Sequence, residues 1–130
     1  MGSLPEKSRI MVWSALGAAL WLNALIVIRV FNAYGLLDGP RILIGFVLSV
    51  PLSVVTVWIF RLFRTSWADM GLAITWGTAV AMVLDGVAIG LFHTAYGWTE
   101  DHGRIAGAVI LFGAAVGIFT AYWMASRNTN

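Results

Sequence analysis

The chain predicts an all-α fold, a four-helix transmembrane bundle, and three observations predict it. The composition is 60% hydrophobic and 11% charged, with a mean hydropathy of +0.86, whereas soluble domains carry roughly a quarter of their residues as charge. Four apolar windows, 10–28, 42–60, 70–92 and 105–125, come close to the roughly 20 residues a helix needs to cross about 30 Å of hydrocarbon. Short polar connections rich in Gly, Pro, Asp and Arg separate them, so the spans are expected at about 10–31, 42–60, 70–93 and 105–125. Residues 1–130 then form a single integral membrane domain.

The first span follows Lys7 and Arg9. Its apolar run is too long for a signal peptide and no small-x-small cleavage site follows, so it is expected to remain in the mature protein. Ala15, Ala19 and Asn23 share one face of it. The second span carries Pro51 in "LSVPLS", which removes a backbone donor and predicts a kink, with Ser49 or Ser53 available to cap freed groups. The third has Gly77 and Ala81 leading to Asp85, the one formal charge inside any window. The fourth has a stripe of Gly113, Gly117, Ala121 and Ala125. Small residues let membrane helices approach closely, so these stripes are the expected packing faces. Most of the seven Trp fall near window ends, where amphipathic rings suit the headgroup zone.

Lys and Arg set the orientation. Lys7, Arg9, Arg61, Arg64 and Arg127 fall on one side, against Arg29, Arg41 and Arg104 on the other, which places both termini in the cytoplasm. The net charge of +2 expresses this bias, and no nucleic-acid partner is expected. The absence of cysteine excludes disulfides, thiolate metal sites and palmitoyl or prenyl anchors.

Two stretches align at an offset of 62 residues. Asn23 falls on Asp85, Leu22 on Leu84 and "AYG" at 33–35 on "AYG" at 95–97, four identities in fifteen positions. One reading is two parallel helix-hairpin repeats about an axis along the membrane normal, each outgoing helix ending at Tyr-Gly with Gly in the left-handed conformation. The other is that helix ends favour Tyr and Gly on their own account. A repeat puts Asn23 and Asp85 at one depth, able to meet near the bundle axis.

Asp85 is the main candidate for chemistry, because an ionised, unpaired carboxylate in hydrocarbon costs several kcal/mol. It is either a structural polar clasp or a proton- or ligand-handling group, with Asn23 as its expected partner. Arg29 lies roughly 9 Å nearer the outer face and is expected to snorkel outward, with direct pairing to Asp85 as the alternative. His93, with Glu100, Asp101 and His102, reads as an interfacial histidine or as part of an outer vestibule. No metal-ligand spacing is present, no cofactor is implied, and the motifs of hydrolases and phosphate loops are missing, so the chain is expected not to be an enzyme.

"ALWLNALIVIRVF" (19–31), "LSVPLSVVTVWIFRLF" (48–63) and "MVLDGVAIGLF" (82–92) together resemble an uncharacterised, domain-of-unknown-function family of small four-span bacterial inner-membrane proteins. The resemblance implies a bacterial inner-membrane location and supplies no activity. Small multidrug-resistance transporters share the size and a single embedded acid, but theirs is a Glu in the first helix, where this chain has Asn23. Two functions remain. The first is a non-enzymatic subunit of a homo-oligomer or larger membrane complex, seated in the lipid bilayer; the second is a proton-coupled small-solute transporter or channel using Asp85.

Overall fold

The computed structural model describes residues 5–92 and 94–129. Four helices follow one another: α1 (Glu6–Ala33), α2 (Ile42–Leu62), α3 (Met70–Leu91) and α4 (Glu100–Asn128), with a short 3-10 turn at Gly39–Arg41. All four are long and apolar enough to cross a membrane, and they pack as a bundle, so the chain is a small multi-pass integral membrane protein. The start of α1, the end of α4 and the connection between α2 and α3 lie at one end, where Arg9 pairs with Asp69 at 3.0 Å and the Trp13 indole donates to Thr65 Oγ1 at 3.2 Å. The other end carries the α1–α2 and α3–α4 connections and is called here the loop end.

Helix boundaries follow local chemistry. At the end of α1, Gly35 takes φ +63°, and the Leu36 and Gly35 amides donate back to the Phe31 and Asn32 carbonyls at 3.0 and 3.2 Å. This is a Schellman closure, and glycine enters the left-handed region at no steric cost. α2 closes in the same way with Arg64 at φ 67° in place of glycine, its Thr65 amide reaching the Phe60 carbonyl at 3.2 Å. α4 begins five residues before the apolar window at 105, because the Thr99 hydroxyl accepts from the His102 amide at 3.2 Å and Glu100 and Asp101 occupy the first turn, where carboxylates complement the helix dipole.

The helices pair by orientation. α1 packs along α3 and α2 along α4, each pair parallel; α3 also packs on α4, while α1 and α2 form no close pair among the described residues. The α1–α3 crossing is tight, because Gly17 sits against Gly77: a β-carbon on Gly17 would lie 2.4 Å from the Gly77 carbonyl oxygen. Between α2 and α4, buried Gly45, Ser49 and Ser53 face Val109, Gly113 and Gly117, with Ala121 fully buried further along. The serine hydroxyls donate to carbonyls of their own helix, Ser49 to Gly45 and Ser53 to Ser49, so their polarity is satisfied within α2. Helix α2 continues through Pro51, which is exposed, and neither serine caps the Val47 carbonyl that proline leaves free.

Two apolar clusters close the bundle. At the termini end, Trp13, Val57, Phe60, Met70 and Ile74 form the first; at the loop end, Ile28, Leu37, Ala88, Tyr96 and Ile105 form the second. Trp13, expected as an interfacial anchor, is a core residue whose indole reaches a hydroxyl. Trp58, Trp98 and Trp123 are exposed; Trp98 and Trp123 each sit under an arginine at 4.7 Å.

Candidate functional site

Asp85 lies on the buried face of α3, six residues or roughly 9 Å before that helix ends. Its partner is Tyr96, whose hydroxyl donates to Asp85 Oδ1. Tyr96 is buried to 2% exposure, so the phenol closes over the carboxylate from the loop side. Burial, and then the adjacent Asp85 carboxylate, hold the Tyr96 hydroxyl above the ordinary tyrosine range. The Trp21 indole N–H lies beside both groups, buried and not aligned for a hydrogen bond.

Tyr96 can reach back only because the chain unwinds early. α3 stops at Leu91, about a turn before the position at which α1 stops in the aligned segment, and residues 94–99 curl over the bundle end, with the Ala95 amide bonded to the Phe92 carbonyl at 2.7 Å. Unwinding leaves carbonyls without helical donors, and α1 supplies donors. The Arg29 guanidinium donates to the Thr94 carbonyl and, at 3.0 Å, to the Ala95 carbonyl. Asn32 Nδ2 donates to the Tyr96 carbonyl at 2.8 Å and more weakly to the His102 carbonyl at 3.5 Å.

Arg29 also lies 4.7 Å over the Trp98 ring. Trp98 in turn meets the His102 ring edge-on at 6.3 Å and donates its amide to His102 Nδ1 at 3.0 Å. The loop is therefore held from below by Asp85, from the side by Arg29 and Asn32, and from above by His102.

Several expectations need correction. Asn23 does not meet Asp85: it is exposed, as are Ala15 and Ala19 on its face, because α1 turns Trp13, Leu16, Gly17, Ile28 and Asn32 inward instead. The tight Gly17–Gly77 crossing fixes that rotation. Arg29 neither pairs with Asp85 nor extends freely outward; it is spent on the loop carbonyls. Gly97 does not take the left-handed conformation that Gly35 takes, and it is buried against His102. Gly77 is buried at the α1 contact, Ala81 is partly buried one turn before Asp85, and Gly113 and Gly117 lie opposite the serines of α2. His93 lies outside the described residues.

Tyr96 and Asn32 are not among the site residues the sequence suggests, and Trp21 enters there only as a marked residue of the stretch 19–31. One signal could have found Tyr96: it stands eleven residues after Asp85, past a glycine-flanked loop, and a buried phenol needs a hydrogen-bond partner. Two open grooves flank the site. One of about 600 Å³ is lined by Asp38, Thr99, Asp101, His102 and Arg104 among others; one of about 260 Å³ is lined by Ile89, Tyr96, Glu100, Gly103 and Arg104. Neither is lined by Asp85. Among the described residues no group of three or more His, Asp or Glu side chains could hold a metal ion.

The chain was compared with protein-family models, with curated proteins and with solved structures, and none of the three gives a match.

Proposed function

We propose that this chain is a non-enzymatic membrane subunit of a bacterial inner-membrane oligomer or larger complex, both termini cytoplasmic, in which Asp85 is a structural clasp. One observation carries the reading: the single charge within the apolar windows is closed off by the Tyr96 hydroxyl, beneath a loop that α1 holds with two further side chains. A transport site needs water at its titrating group, and of the two grooves at the loop end the smaller is lined by Tyr96 and neither by Asp85. The helices also keep little of themselves inside. No more than 22% of any spanning window is buried within the chain, leaving wide faces for lipid and for neighbouring helices.

Proton-coupled transport remains the second reading, favoured by the smaller groove, which brings Glu100 and Arg104 to the far side of the phenol that touches Asp85. Asp85→Asn in proteoliposomes separates the two. As a clasp residue, its loss lowers the thermal midpoint and leaves proton permeability at the wild-type level. A wild-type proton flux that vanishes in a normally assembled Asp85→Asn protein would overturn the clasp reading.

A further inference from the structure

The α1 face that the bundle does not use carries a polar group in the wrong solvent. Asn23 stands three to four residues from the middle of α1 (Glu6–Ala33), roughly 5 Å along the axis. That leaves it about 10 Å inside the edge of a hydrocarbon core about 30 Å thick. A carboxamide on a two-carbon stem cannot snorkel that far, unlike Lys or Arg. Its side chain is exposed, and among the described residues it has no hydrogen-bond partner. Ser49, Ser53 and Thr56 in α2 and Thr75 in α3 show the usual solution, donating to the carbonyl four residues back. Asn23 does not adopt it. An unsatisfied amide in lipid costs several kcal/mol, so something outside this chain covers it.

We infer that a second copy of this chain covers it, α1 against α1 in parallel about a twofold axis along the membrane normal, with the two Asn23 carboxamides hydrogen-bonded to each other. This rests on the oligomeric reading above and names its partner. A carboxamide holds a donor and an acceptor on one group, so it complements itself. A twofold axis along the normal brings identical residues together at identical depth, which an unrelated helix does only by coincidence of register. Ala15 and Ala19, two turns and one turn before Asn23 and likewise exposed, offer no side-chain bulk to hold the backbones apart. α1 is also the helix with most surface to give: it packs closely on α3 alone, whereas α3 and α4 each have two or more close neighbours.

The chain has no cysteine, so single-cysteine crosslinking reports one contact at a time. In phosphatidylcholine/phosphatidylglycerol proteoliposomes, Ala19→Cys is expected to oxidise to a disulfide dimer, while Val50→Cys, exposed on α2, is not. Adding Asn23→Leu to Ala19→Cys should weaken dimerisation about 3- to 30-fold, the span of one interhelical polar contact, and Asn23→Gln should restore it. A dimer indifferent to Asn23→Leu, or one that crosslinks through Val50 and not Ala19, overturns this interface while leaving an oligomer in place. A chain that single-molecule photobleaching finds monomeric at every lipid dilution overturns the interface and the oligomeric reading together.

Discussion

The two hairpins of this bundle share four residues in fifteen aligned positions and put them to different ends. Tyr34 and Tyr96 align, each eleven residues after its polar residue, yet Tyr34 is 75% exposed and Tyr96 is buried. Asn23 and Asp85 align, yet the first faces outward and the second is buried. The difference begins in the last turn of each outgoing helix. α1 stays helical to Ala33 and points Tyr34 away; α3 ends at Leu91, a turn sooner in the alignment, and lets Tyr96 fold back onto its carboxylate. The residues that make this unwinding tolerable are those at which the segments differ: Arg29 aligns with Leu91 and Asn32 with Thr94, and it is Arg29 and Asn32 that bond the loop carbonyls. One segment keeps its helix and donates; the other gives up a turn and receives.

Prising α1 from α3 should have the largest effect. Gly17→Val puts a branched side chain where a β-carbon already meets backbone at 2.4 Å, and neither backbone can yield without moving a helix. A loss of about 3 kcal/mol or more is expected in detergent unfolding, at the upper end of overpacking costs.

The tyrosines sharpen the comparison directly. Tyr96→Phe leaves a buried carboxyl without its donor and should cost about 2 kcal/mol, whereas Tyr34→Phe should be silent in the same thermal melt. The pH dependence follows from the same bond. Because the folded protein holds the Tyr96 hydroxyl above the ordinary range near 10, the folded state keeps that proton after the unfolded chain has released it. The phenol's contribution is thus complete below about pH 10 and is lost as pH rises beyond it. Unfolding measured from pH 8 to 11 should show this alkaline step in the wild type and lack it in Tyr96→Phe.

Arg29→Leu, which installs the residue of the aligned position, tests the exchange between segments. It removes two carbonyl contacts and the stacking on Trp98, and about 1–2 kcal/mol should go with them. Faster amide hydrogen exchange should be confined to residues 94–98. The smallest effect belongs to Asp101→Asn: its pair with Arg104 at 3.2 Å is largely exposed on both sides, and exposed pairs contribute about 0.5 kcal/mol or less.

Four helices were legible because hydrocarbon demands long apolar runs and the loops between them carry charge. Which way each helix faces was much less so. In water an apolar stripe marks the buried side, but lipid is as apolar as a protein core, and the outward faces of α1 and α3 carry Leu22, Ile26, Val83 and Val87. Small residues were the remaining guide. They lie between the helices in α2 and α4, at Ser49, Ser53, Gly113 and Gly117. In α1 they misled, since one glycine at position 17 outranks the alanines at 15 and 19. Asp85 stood out as the lone charge, but its partner was hidden by an unwound turn that no residue between 91 and 96 announces, because the donors stabilising it sit some sixty-five residues upstream.

The pairing of like helices has a consequence for how this protein is made. α1 and α2 emerge first, and in the finished bundle they scarcely touch; each waits for a helix about sixty residues downstream. At about 5–20 residues per second, the first hairpin spends roughly 3–12 s in the bilayer before its neighbours arrive. During that interval the two serines of α2 already have their own carbonyls, and Arg29 and Asn32 have nothing to hold. The early half of the chain is thereby exposed to quality control for as long as the ribosome takes to finish the late half.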